Sequence, residues 1–74
     1  MISYNKLWKL LIDKGWSKSD LRDNVGMSSA TLAKLSKNQP VMSTVLERIC
    51  VTLNCDIGDI MEIDSQEEGG LVRE

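Results

Sequence analysis

The chain has 74 residues, which allows one domain, and its 42% hydrophobic and 27% charged residues are typical of a folded globular protein. No histidine and only two cysteines are present, so the sequence excludes His-based acid–base catalysis and a zinc site within one chain. It therefore argues against an enzyme, and we expect no cofactor. The longest run of large apolar residues, 10–12, predicts no membrane span and a cytoplasmic location.

Charge is unevenly distributed along the chain. The total is −2, but residues 1–45 carry seven lysines and arginines against three aspartates, a net charge of +4. Residues 46–74 carry a net charge of −6. The basic half can follow a phosphate backbone despite the acidic total, although lysines that only keep the protein in solution would give the same pattern.

The first predicted helix covers residues 4–14. Its apolar residues recur at the spacing of one helix face, as expected of a helix packed on a core: Tyr4, Leu7, Trp8 and Leu11. Lys14 lies in the last turn, and Gly15 follows as a candidate C-cap because glycine adopts the left-handed conformation at little cost.

Two short helices, 18–25 and 28–37, are predicted next, with a tight turn between them. Ser17 begins a capping box at the start of the first helix, and Ser28 is the candidate N-cap of the second. Gly26 permits the positive φ of a sharp turn. This arrangement is the layout of a helix-turn-helix motif.

The rest of the chain predicts one longer helix and an irregular end. Residues 43–54 form the helix, with Thr44 as a capping-box candidate and Asn54 as a left-handed C-cap. A short helical turn is expected over residues 56–59. Residues 65–74 predict a flexible acidic tail, since acidic residues and glycines dominate its first half.

The two ends of the domain have a partly alternating pattern. Residues 2–4 and 60–63 fit either a small antiparallel strand pair or an apolar patch that a second protomer covers. The small core of a chain of this length favours the patch, whose members are Ile57, Ile60, Met61 and Ile63.

The second helix of the motif leaves small and hydrogen-bonding groups on its outward face. These are Ser29, Ala30, Thr31 and Lys34, and the helix contains no acidic residue. Such a face suits insertion into a DNA major groove about 12 Å wide, where acids would be repelled by phosphate. A merely solvated helix face is the alternative.

The pattern over residues 16–35, continued over 46–60, resembles the small lambda-repressor-like, Cro/CI-type (XRE-family) helix-turn-helix transcriptional regulators. The residues that match are Trp16-Ser17-Lys18-Ser19-Asp20-Leu21, Gly26-Met27-Ser28, Thr31-Leu32, Leu35, Leu46, Ile49-Cys50, Leu53-Asn54-Cys55 and Gly58-Asp59-Ile60. The resemblance implies an all-α, compact five-helix DNA-binding domain over residues 1–64, with or without short terminal strands. It also implies a bacterial or phage-type regulator.

The resemblance also implies site residues. Ser29, Ala30 and Lys34, with Thr31 nearby, match positions that face DNA bases. Phosphate contacts are expected from Ser17, Lys18, Arg22, Ser28, Lys37 and Asn38. Two of these depart from the family pattern: Lys18 stands where glutamine is usual, and Arg22 stands where a small alanine usually packs between the two helices.

The expected partners are double-stranded operator or promoter DNA and a second copy of the chain. A single domain reads one half-site, so a homodimer on half-sites about 34–36 Å apart is expected. No small-molecule effector domain is expected, and regulation would follow from occupancy of the DNA. The alternative function is a protein-interaction or antitoxin-like accessory module that uses the same fold without strong DNA binding.

The two cysteines are expected to be small buried hydrophobic residues. Cys50 and Cys55 are five residues apart, which on a continuous helix separates them by about 140° around the axis. That arrangement is poor for a disulfide, so a redox role is the less favoured interpretation.

Overall fold

The computed structural model describes residues 1–63 as four helices, a single 3-10 turn and two short strands. In chain order these are β1 (Ile2–Ser3), α1 (Asn5–Lys14), α2 (Lys18–Val25), α3 (Ser29–Ser36), α4 (Ser43–Leu53), the 3-10 turn (Ile57–Asp59) and β2 (Glu62–Ile63). The tail predicted over residues 65–74 lies outside the described part of the chain. Within that part, no helix is both long and apolar enough to cross a membrane.

The expectation of a fifth helix is wrong, because that segment forms only the 3-10 turn. Two hydrogen bonds close the turn: the Asp56 N–H donates to the Asp59 carboxylate at 2.9 Å, and the Asp59 N–H donates to the Asp56 backbone carbonyl at 2.9 Å. Ile60 then enters the core with no exposed surface, and the chain becomes extended in β2. The switch from the turn to an extended strand leaves no residues for a second helical turn.

The two ends of the domain pair as antiparallel strands. Ile2 lies opposite Ile63, and Ser3 lies opposite Glu62. Of the two arrangements that the sequence allowed, the strand pair is the one present. The expected four-residue apolar patch is not exposed as a whole, since Ile60 is buried and Met61 is half-buried.

One continuous apolar core joins all four helices. Its buried members are Tyr4, Leu7, Leu11, Leu21, Val25, Met27, Leu35, Val45, Ile49, Leu53 and Ile60. α2 is central to this packing, because it contacts both α3 and α4. A fully buried leucine such as Leu21 or Leu35 contributes about 1.5–3 kcal/mol through the hydrophobic effect, so the core fixes α3 relative to the other helices.

α4 starts where it was expected, but its capping residue differs from the expected one. The helix begins at Ser43, and Met42 holds the N-cap position without a side-chain hydrogen bond, so Thr44 is not the cap. Its other end follows the prediction: Asn54 adopts the left-handed conformation with φ 55°. Hydrophobic burial of Val45, Ile49 and Leu53 holds this helix in place.

Candidate nucleic-acid interface

A sharp turn sets the angle between α2 and α3. Ser17 accepts a hydrogen bond from the Asp20 N–H at 3.0 Å, and Asp20 accepts one from the Ser17 N–H at 2.8 Å, which completes the predicted capping box. Gly26 ends α2 with φ 83°, and Ser28 caps α3 by accepting from the Thr31 N–H at 3.1 Å. Local contacts within residues 17–31 therefore set the geometry of the helix-turn-helix motif.

The exposed face of α3 is built from small side chains and lysine. Its members, with Lys37 at the C-cap, are Ser29, Ala30, Ala33, Lys34 and Lys37. Thr31 is only partly exposed, and its hydroxyl accepts a hydrogen bond from the Ser28 hydroxyl at 3.1 Å. Ala33 was missed in the sequence analysis, although its position four residues after Ser29 places it on the same helix face.

Arg22 connects α2 to the first residue of α3. Its Nη1 donates to the Ser29 hydroxyl at 3.3 Å, and its Nε donates to the Asp23 carboxylate at 3.1 Å. The Arg22 side chain is 34% exposed, so it occupies the space between the helices and still reaches solvent. The resemblance led us to expect a small alanine at this position. Arg22 stands there instead, and its side chain reaches from α2 to α3.

Lys18 makes the corresponding connection at the other end of α3. Its Nζ donates to the Ser36 hydroxyl at 3.2 Å and lies 4.3 Å from the centroid of the Trp8 ring. The second distance is that of a cation–π interaction. Lys18 thus joins α1, α2 and the last residue of α3.

The two acidic residues of α2 are already engaged. Asp20 completes the capping box with Ser17, and Asp23 pairs with Arg22. In contrast, the Lys34 and Lys37 side chains have no hydrogen-bond or ion-pair partner among residues 1–63. Within residues 1–63, no carboxylate therefore neutralises the positive charge on the exposed side of α3.

Asn38, which was predicted to contact phosphate, makes a hydrogen bond inside the domain. It follows α3 with φ 58°, and its Oδ1 accepts a hydrogen bond from the Tyr4 N–H at 3.1 Å. The Tyr4 hydroxyl donates to the Gln39 carbonyl at 2.9 Å, and burial raises the pKa of Tyr4. Together these contacts fasten the exit of α3 to the start of α1.

Lys6 is directed toward the acidic part of the domain. Its Nζ donates to the Gly58 carbonyl at 3.1 Å and lies 3.9 Å from the Glu62 carboxylate. The 3-10 turn that contains Gly58 packs on α1 and α4. The described part of the chain contains no group of three or more metal-ligating side chains.

A buried helix-turn-helix core with an acid-free, lysine-bearing α3 face defines a DNA-binding domain, and comparison with known proteins gives the family. The chain belongs to the Cro/C1-type helix-turn-helix DNA-binding domain family, whose match covers residues 6–66. It is 35% identical over 66 residues to the HTH-type transcriptional regulator YozG of Bacillus subtilis (strain 168), covering 86% of this chain and 79% of YozG.

A solved structure shows the same relationship. The crystal structure of the transcriptional regulator VanUg is similar to this chain with a TM-score of 0.81 and 61% sequence identity. The similarity covers 82% of this chain and 81% of that one. The family match makes this chain a Cro/C1-type DNA-binding domain, and both relatives are transcriptional regulators, a class that is not enzymatic.

Proposed function

We propose that this regulator recognises a specific operator by inserting α3 into the major groove. The observation that carries the proposal is the exposed face of α3, which holds no acid and two lysines that have no ion-pair partner in the described part of the chain. Small neighbours at Ser29, Ala30 and Ala33 let the helix approach base edges closely. Charge and shape therefore both favour a groove lined by phosphates.

Base recognition is proposed for one side of this face. Lys34 can donate to guanine O6 and N7, Ser29 can donate to or accept from several base edges, and Ala30 can contact a thymine methyl group. Thr31 lies at the margin of the face, where its hydroxyl already accepts from Ser28. We therefore propose Ser29, Ala30 and Lys34 as the main base contacts, with Thr31 secondary.

Phosphate contacts are proposed around the base-reading residues. Lys37 is exposed at the exit of α3, and the Ser17 hydroxyl accepts from the Asp20 N–H, which leaves its own proton available to a phosphate oxygen. The N-termini of α2 and α3, at Ser17 and Ser28, also favour an anion through their partial positive charge. The further proposed contacts are Lys18, Arg22 and Asn38, which also hold internal hydrogen bonds.

We further propose that the protein binds its operator as a homodimer. Two large apolar side chains near the paired chain ends are exposed, Ile57 at 46% and Ile63 at 68%. A second protomer that covered them would remove apolar surface from water and place two α3 helices on successive half-sites. Sedimentation equilibrium tests this: the variant with Ile57→Ser and Ile63→Ser should dissociate at lower concentration than the wild type.

Val51→Ser is the matched control for that measurement, because Val51 is 74% exposed but lies on α4. It should leave the association constant unchanged. A wild-type protein that stays monomeric at high micromolar concentration, with and without operator, would contradict the dimer.

The DNA-binding proposal is tested by selecting operators from a random duplex library and measuring affinity over a salt series. Release of counterions from phosphates requires the logarithm of the binding constant to fall with the logarithm of salt, with a slope of about −0.9 for each phosphate neutralised. An enriched sequence with a steep slope supports the proposal. If no DNA sequence is enriched and the protein instead associates with a protein partner independently of salt, the accessory-module alternative is supported.

A further inference from the structure

The end of α4 brings Cys50 and Cys55 together. Asn54 follows the helix in the left-handed conformation, and the Cys55 N–H then donates to the Cys50 carbonyl at 2.9 Å. The Asn54 N–H donates to the Val51 carbonyl at 3.2 Å. These two bonds form a Schellman motif, which folds the chain back on its last turn. The separation of about 140° expected on a continuous helix therefore does not apply.

The two thiols also lie close to each other. Both cysteines are free and half-buried, and each thiol is near enough to the other to affect its pKa. The backbone hydrogen bond holds their Cα atoms within roughly 7 Å of each other, which is the limit of the separation that a disulfide can bridge without backbone movement. The pair thus has adjacent side chains and a compatible backbone separation.

Small molecules can reach this pair. Cys55 lines an open cleft of about 370 Å³ between α1 and the end of α4. Three lysines border the same cleft: Lys6, Lys9 and Lys14. Two aspartates, Asp13 and Asp59, line it as well, so the lining residues together carry a net charge of only +1. A small disulfide reagent can reach Cys55 through this cleft.

We propose that Cys50 and Cys55 are a modification site, which closes a reversible intramolecular disulfide by exchange with a low-molecular-weight disulfide. The Cys55 thiolate attacks one sulfur of the reagent and expels the first thiolate, which takes up a proton. The Cys50 thiolate then attacks the Cys55 sulfur of the mixed disulfide and expels the second thiolate. Two protein thiols are oxidised, and one reagent disulfide is reduced to two thiols.

The surroundings of the two thiols slow this exchange, and the closed disulfide stabilises the domain. Burial raises the pKa of both thiols, and the nearby Asp59 carboxylate raises it further, so less of the reactive thiolate is present than in an exposed cysteine. Once closed, the bond ties the end of α4 to the segment that leads to the buried Ile60. A domain this small gains stability from such a covalent link.

In the test, the 74-residue protein is incubated with a mixture of oxidised and reduced glutathione and quenched with acid, and the masses of the products are measured by mass spectrometry. We expect the folded protein to lose the mass of two hydrogen atoms and to carry little glutathione. In urea, the ratio of intramolecular disulfide to glutathione adduct should fall about tenfold, because unfolding lowers the effective concentration of one thiol at the other.

Cys50→Ser and Cys55→Ser serve as controls, and each should carry one glutathione adduct without losing two hydrogens. The melting temperature supplies a second measurement, and that of the oxidised protein should exceed that of the reduced one by several degrees. Two glutathione adducts or a disulfide-linked dimer as the main folded product would overturn the proposal. So would an equal product ratio in buffer and in urea.

Discussion

The Arg22 guanidinium donates a hydrogen bond to the Ser29 hydroxyl at 3.3 Å, which links the middle of α2 to the first residue of α3. Ser29 is one of the residues proposed to face DNA bases. Arg22 therefore has two ways to affect DNA binding. It can contact a phosphate itself, or it can orient Ser29.

A double-mutant cycle separates these two effects. If Arg22 acts through Ser29, the losses of operator affinity caused by Arg22→Ala and Ser29→Ala are not additive, and we expect a coupling energy of about 0.5–1.5 kcal/mol. If Arg22 contacts only phosphate, the two losses add within about 0.5 kcal/mol. Fluorescence anisotropy with the selected operator measures all four affinities.

Lys18 is expected to contribute to stability through Trp8. Lys18→Met keeps most of the aliphatic side chain but removes the charge over the ring and the hydrogen bond to Ser36, so we expect a loss of about 0.5–1 kcal/mol in the free energy of unfolding. Lys18→Arg, which keeps a cation over the ring, should lose less. Urea unfolding of the wild type and the two variants measures these losses. An unchanged free energy of unfolding for Lys18→Met would show that the contact of Lys18 with Trp8 does not stabilise the fold.

Gly26 is expected to be needed for its backbone conformation rather than for space. A Cβ atom at this position would meet no other atom within 4 Å, but φ is 83°. Gly26→Val should therefore lower the free energy of unfolding by more than about 1 kcal/mol through backbone strain. Gly26→Asn should be milder, since Asn38 and Asn54 of this chain already adopt φ 58° and 55°. Thermal melts with equal midpoints for the wild type and Gly26→Val would contradict this reason.

The raised pKa of Tyr4 predicts a loss of stability at alkaline pH. The folded state holds the phenolic proton more tightly than the unfolded chain, in which tyrosine titrates near its ordinary value of 10.0. The stabilisation is complete below that value and is lost as pH rises through the higher folded pKa. Tyr4→Phe cannot titrate, so its free energy of unfolding should fall less as pH rises above the ordinary tyrosine value of 10.0. Urea titrations at several pH values measure this, and parallel curves for the two proteins would contradict it.

Features of the fold that depend on neighbouring residues were predictable from the sequence, and those that depend on distant contacts were not. Ser17 and Gly26 act within one helical turn, so their cap and turn could be read directly from the residue order. The contact of Lys18 with Trp8 and Ser36 needs three helices to meet. No local pattern specifies that meeting.

Two errors have the same physical origin. The fifth helix was expected from the family resemblance, but the chain extends after Ile60 because β2 pairs with β1. The angle of about 140° between the cysteines applied helix periodicity past the end of α4, whereas the left-handed Asn54 ends the helix and the Cys55 N–H bonds back to the Cys50 carbonyl. In both cases the end of an element, rather than its periodicity, decides where side chains lie.

The most direct test of DNA recognition by α3 compares Lys34→Ala with Lys37→Ala on the selected operator and on scrambled DNA. Lys34→Ala should weaken operator binding by about 1–3 kcal/mol and relax the preference at one base position, while scrambled DNA is bound almost as before. Lys37→Ala should weaken both DNAs about equally, as loss of a phosphate contact does. Equal losses on both DNAs for Lys34→Ala would contradict base recognition by this helix face.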